Sequence, residues 1–176
     1  MKQKLKYTFS LVFGIIVFQF WCLVHPYILT FHEQNQLFLF TANYWTQRIA
    51  VAGGFADYLG EFLVQFFFYP AAGAAIVAVL LTSIQLLTWA LARRYNSSYA
   101  LSFLPALLLL ALMGDKNTLL SYPVSILLVL LISLICTKIG KTIVNIVAIA
   151  ASYWLVGSVF AIMPLLLING KDKKAK

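Results

Sequence analysis

The chain has 176 residues, is 62% hydrophobic and only 10% charged, and has a mean hydropathy of +0.91, far from a soluble domain, which is about half apolar and a quarter charged. That excludes an ordinary soluble enzyme and points to an all-α integral membrane protein, in which each crossing needs about 20 apolar residues. The net charge of +8 does not mark a nucleic-acid binder, because lysines and arginines flank apolar runs and no basic face is interleaved with aromatics.

Taken in chain order, about five spans are predicted in a single transmembrane domain, 1–176. The first, 7–29, follows Lys2, Lys4 and Lys6; it resembles a signal peptide, but its apolar run is long and no small-x-small site follows, so it reads as a retained signal anchor. The outer loop, 30–70, comes next. The second span, 71–92, ends at Arg93-Arg94; the third, 99–113, is short and contains Pro105; the fourth is 119–137 and the fifth 142–168. Proline is tolerated in a span when neighbours satisfy the freed carbonyl. Seven basic residues (Lys2, Lys4, Lys6, Arg93, Arg94, Lys138, Lys141) fall on one side if five spans alternate, which makes that side cytoplasmic in a bacterial inner membrane, with the amino terminus inside. All five acids then lie on the other side. The tail "NGKDKKAK" would end outside with four lysines, against the trend. Either the fifth segment does not fully cross, or it bends near Gly157 and returns, or the tail stands in for helices that a longer relative carries; the last is the expectation. Gln19, Gln85 and Asn145, inside the spans, suit hydrogen bonds between helices.

The loop 30–70 is too aromatic for disorder and must bury its rings. A helix at about 42–52 is expected, then a Gly53-Gly54 break, then "GFADYLGEFLVQFFFY". This last segment is not a span: eight strongly apolar residues contribute about −2 to −5 kcal/mol, and two central acids cost about +5 to +7. Asp57, Glu61 and Gln65 form one polar stripe at i, i+4, i+8, with Phe55, Leu59, Phe62, Leu63 and Phe66 around the rest. The loop is therefore predicted as two membrane-parallel amphipathic helices, with Pro70 opening span two.

Candidate site residues are few. Glu33, just beyond span one, is the candidate catalytic residue. Asp57, Glu61 and Arg48 are candidate substrate-binding residues. Asp57 and Glu61 repel each other, which a shared proton or a divalent ion would relieve; a plainly solvated polar face is the simpler alternative. Arg48, the one basic residue of the loop, either pairs with an acid or binds a phosphate. His25 and His32 do not stand at a diagnostic metal spacing to Glu33, and no metal site is expected. Cys22 and Cys136 lie in apolar runs and read as small hydrophobes. No nucleophile triad, P-loop or HExxH motif occurs, and the sequence leaves any cofactor unknown.

The run from "FHEQNQLFLF" through "GGFADYLGEFLVQFFFYP" resembles the N-terminal part of an uncharacterised family of bacterial polytopic membrane proteins, longer and with more spans; the match is good over residues 7–95. More distantly, the layout resembles GT-C-class membrane glycosyltransferases, in which a span is followed by an outer loop with two membrane-parallel helices. That resemblance implies a polyprenyl-phosphate-linked sugar as donor and an acid just after the first span as base or metal contact, a place only Glu33 occupies. The chain departs from the class in having five spans rather than about seven and in following Glu33 with Gln34 rather than a second acid.

Three functions compete. One is a GT-C-like module acting on polyprenyl-linked sugars at the outer face, with Glu33 as general base and Arg48 on a lipid phosphate. The alternative is a non-catalytic membrane subunit or truncated module of a larger assembly, partnered by a membrane protein that supplies the missing spans. A transporter ranks last, since repeated halves and charges at mid-span are lacking.

Overall fold

The computed structural model describes residues 3–168, which are helical with no strand among them. Helix α1 (Gln3–Gln19) runs on through a π-helical turn to Val24 and stops at His25 (φ −129°, ψ 43°). The cause is Pro26, which disfavours helical geometry in the residue before it and has no N–H to donate. Proline is well placed as the first residue of a new helix, and α2 (Pro26–Asn35) begins there. The expected first span, 7–29, is thus two helices, and Glu33 rides on the second.

Helices α3 (Ala42–Ile49) and α4 (Gly54–Val64) form the loop, with a 3-10 turn, Gln65–Phe68, leading to α5 (Pro70–Ala92). A 3-10 stretch, Tyr99–Phe103, feeds α6 (Leu104–Leu112); α7 (Ser121–Ile139) and α8 (Thr142–Val156) follow, and a 3-10 stretch, Gly157–Ala161, leads into α9 (Ile162–Ile168). Four helical stretches are long and apolar enough to cross a membrane: Gln3–Val24, Pro70–Tyr95, Ser121–Ile139 and Thr142–Leu167; Tyr99–Leu112 is apolar but shorter.

Helix α5 is the centre, packing on α1, α2, α6 and α7, with Ala74, Val77, Leu81 and Ile84 fully buried. Gln85, also fully buried, joins three helices: its Oε1 accepts from Ser10 Oγ at 2.6 Å and its Nε2 donates to Ser102 Oγ at 2.8 Å. Such a bond contributes about 0.6 kcal/mol within a bundle. Gln19 and Asn145 make no such bond among the described residues.

Contacts sort the helix ends into two sets. At one, the basic end, the Tyr99 hydroxyl donates to Lys6 O at 2.6 Å and Arg94 Nη1 donates to Thr137 O at 3.2 Å. At the other, the loop end, His32 Nε2 lies 3.3 Å from Met113 O and Lys116 Nζ is 5.1 Å from the Phe31 ring centre. The short α6 segment therefore runs from one end to the other. After Gly157 the chain turns back: Tyr153 and Phe160 pack ring to ring at 5.1 Å, and the Tyr95 hydroxyl donates to Leu166 O at 3.1 Å. Gly157 sits at φ 62°, ψ −139°, a conformation that suits glycine almost alone. The run 142–168, though apolar and long enough in total to cross, is therefore bent at Gly157 rather than one straight helix. The tail lies outside the described residues.

Candidate functional site

The loop end carries all four described acids, Glu33, Asp57, Glu61 and Asp115. Its scaffold begins at Thr41, whose side chain caps α3 by accepting from Tyr44 N at 3.2 Å. One turn apart on α3, Tyr44 and Arg48 share a face. The chain then reverses through Gly53 (φ 89°) into α4. Only glycine fits at Gly54, because a Cβ there would stand 1.6 Å from the Arg48 carbonyl oxygen. This tight reversal lays α4 back along α3.

The aromatic residues of the loop bury one another. Tyr58 meets Trp45 at 4.5 Å and Phe38 at 4.9 Å between ring centres, and Phe62 meets Phe38 at 5.6 Å. The most buried side of α4 is its small one, Ala56, Gly60 and Val64, packed on α7 and α8. Phe55, Leu59, Phe62 and Leu63, expected to form the apolar face, are only half-buried and Phe66 is exposed. Gly53 N donates to Trp154 O at 2.9 Å, which ties the α3–α4 reversal to the end of α8.

Arg48 and Glu61 form an ion pair, with side-chain exposures of 39% and 14%. The Tyr44 hydroxyl bonds to Glu61 and accepts from Arg48 Nε at 3.2 Å and Nη2 at 3.1 Å. Burial, and then the bond to the Glu61 carboxylate, push the Tyr44 phenol above its ordinary value, so it stays a neutral donor. Burial works against the charge on Arg48, but the Tyr44 bond and Glu61 outweigh it and raise the guanidinium above its ordinary value. Of the two readings of Arg48, pairing with an acid is the one seen, and the pair relieves the repulsion between Glu61 and Asp57.

Asp57 is left with no side-chain hydrogen bond or ion pair among the described residues. It is half-buried between two cavities. One, of about 300 Å³, is lined by Tyr44, Gln47, Arg48, Val51, Gly54 and Asp57. The other, of about 270 Å³, lies between α4, α7 and the α8 turn, and Asp57 shares it with Ser121, Ser125 and Ser158. The structure thus brings together Asp57, Arg48 and Glu61. Glu33 stands apart: it is half-buried on α2, its side chain has no hydrogen bond or ion pair among the described residues, and it lines neither cavity. Among the described residues, no group of three or more His, Cys, Asp or Glu is placed to hold a metal.

Three contributors escape sequence reasoning. Tyr44 and Gln47 line the cavity, and the i, i+4 spacing of Tyr44 and Arg48 was the available signal for the first. His32 is buried at 2% exposure against Met113 O, a contact across 81 residues that no local pattern signals. Burial holds its imidazole below the ordinary value, partly opposed by the Met113 carbonyl and Asp115.

No curated protein and no solved structure matches this chain. A family profile matches residues 2–175, nearly the whole length, and the chain belongs to that family, DUF6057, a family of unknown function.

Proposed function

We propose that this is a multi-pass protein of a bacterial inner membrane, amino terminus in the cytoplasm, whose outer loop binds the polar head group of a lipid-linked sugar as a non-catalytic module of a larger assembly. The observation that carries the reading is Asp57: a carboxylate with no side-chain hydrogen bond or close ion pair among the described residues, near enough to Arg48 to support its charge, on a cavity of about 300 Å³ shared with Arg48, Gln47 and Tyr44. That set offers an acceptor, a guanidinium and an amide around one space, which is what a hydroxyl-rich head group requires. The volume is at the small end for ligand sites. Arg48 and Glu61 already neutralise each other, so the cavity is not a bare charge cluster. The bacterial setting comes from the resemblance of the outer-loop residues and the polyprenyl carrier from the more distant likeness of the layout to GT-C-class glycosyltransferases, and α3 and α4 would lie along the interface.

In this topology α1, α5, α6 and α7 alternate across the bilayer, and α8 rises to Gly157 before the chain returns. The described chain then closes at the basic end. One observation favours a second reading, glycosyl transfer with Glu33 as base: that carboxylate has no hydrogen-bonded or ionic partner among the described residues either.

The test is binding of a polyprenyl-phosphate-linked sugar to the full chain in nanodiscs, with sugar-free polyprenyl phosphate for comparison. Asp57→Asn should weaken binding of the sugar form by roughly tenfold or more, since hydrogen bonds to a charged group are worth about 1.5–3 kcal/mol. Equal binding by wild type and Asp57→Asn overturns the proposal. Sugar transfer that Glu33→Gln abolishes would replace it with the catalytic reading.

A further inference from the structure

A cavity of about 540 Å³ opens at the basic end, opposite the loop site, lined by Lys6, Phe9, Ser98, Tyr99, Ala100 and Phe103. Its mouth is cationic. Lys6 Nζ lies 4.8 Å from the Trp89 ring centre and 5.7 Å from that of Tyr99, and the Arg93 guanidinium lies 5.2 Å from the same Trp89 ring. Two cations thus share one indole, and no carboxylate offsets them: the four described acids are at the loop end, and the ion pair among the described residues is Arg48–Glu61. Rings hold a cation in place without neutralising it. Two cations near one ring, with no described carboxylate beside them, make the potential at this end of the molecule favourable for an anion.

The rest of the wall is apolar and braced. Phe103 packs edge-on against Phe13 and Tyr99, each at 5.3 Å, and the Tyr99 hydroxyl is anchored on Lys6 O and lies 2.8 Å from Ser10 Oγ. A free phosphate would use Lys6 and leave Phe9 and Phe103 without a role. A phospholipid uses both, because basic pockets between spanning helices suit anionic head groups.

We propose that this cavity is a binding site for an anionic phospholipid, its phosphate held by Lys6 and the Ser98 hydroxyl with Arg93 in support, and the first part of an acyl chain lying along Phe9 and Phe103. The site is independent of the loop cavity and of the function proposed for it.

The experiment is native mass spectrometry of the full chain in mild detergent. It is titrated with phosphatidylglycerol or phosphatidylcholine of the same acyl composition, and with inorganic phosphate as competitor. Phosphatidylglycerol should bind more tightly, and Lys6→Gln should reduce that preference about fivefold, the effect of one surface lysine, whereas Lys6→Arg should keep it. Ala100→Trp, at an exposed position on the cavity wall, fills the space with the charge intact and should lower binding of both lipids. Equal affinity for the two lipids, or full binding by Ala100→Trp, overturns the proposal. Displacement of the lipid by inorganic phosphate at the concentration where phosphate itself binds would make this an anion site and overturn the lipid assignment. If Lys6→Gln fails to fold, Ala100→Trp and the lipid comparison still decide.

Discussion

Gly60→Val sets two physical effects against each other. On helix propensity alone, valine in place of glycine should stabilise α4 by about 0.4 kcal/mol. Packing argues the opposite. A Cβ at residue 60 would stand 2.7 Å from Ser121 N and 2.9 Å from Ser121 Cα, against 3.4 Å or more for an ordinary contact, so α4 would have to retreat by about 0.7 Å. The obstacle is the backbone opening α7 rather than a side chain that can swing away, so the cost belongs at the upper part of the 1–3 kcal/mol range for overpacking. The net expectation is a loss of about 2 kcal/mol. By the scaling for domains of this size that is roughly 4–8 °C in melting temperature. The assay is thermal unfolding in detergent together with limited proteolysis of the 36–69 segment, which should be cut faster once α4 lifts from α7. A variant as stable as wild type, with the loop equally protected, would refute the claim that α4 is seated on α7 through Gly60.

Three further expectations follow from the same geometry. Arg48→Gln and Glu61→Gln should each destabilise the loop, and the double variant should lose less than the two singles together. The coupling should be about 1 kcal/mol or less, because the arginine side chain is 39% exposed and solvent screens the pair. Gly157→Ala should cost about 1–3 kcal/mol in thermal unfolding, since its backbone is in a region other residues avoid, and a Cβ would also press on Gly53 Cα at 3.3 Å. For His32, the folded-state value is depressed below 6.5, so the unfolded chain binds the proton more readily. Its contribution is therefore complete above about pH 6.5 and declines as the pH falls toward the folded value. Wild type should lose stability between pH 7 and 5, and His32→Gln should lose less over the same interval in a pH-dependent melting series.

What could be read from the sequence was what local pattern controls. The apolar runs ending at Arg93-Arg94 and near Lys138 became α5 and α7 within a few residues, because length and flanking charge define such helices. Gly53-Gly54 marked the reversal between α3 and α4. The break at His25 was missed, although Pro26 signalled it, because apolar character continues across it. The Asp57–Glu61–Gln65 stripe was legible as spacing, but its partition was not. Glu61 turns to Arg48 and Tyr44, and Gln65 Nε2 donates to Gln36 O at 3.3 Å, while Asp57 faces the cavities. Each of those choices depends on how α4 packs against the rest of the loop and against α7 and α8, which is a tertiary matter. The same holds for Gly157, where the sequence offered a bend as one option and the contact with Gly53 makes it.

The central claim is that the outer loop holds a sugar head group beside Asp57. The most direct test is photocrosslinking with a polyprenyl-phosphate-linked sugar that carries its reactive group on the sugar, followed by peptide mapping of the full chain. The account predicts adducts within Tyr44–Asp57, diminished in Asp57→Asn and by excess unlabelled lipid. Adducts confined to the α2 segment around Glu33, or labelling no greater than that of the sugar-free lipid, would contradict it.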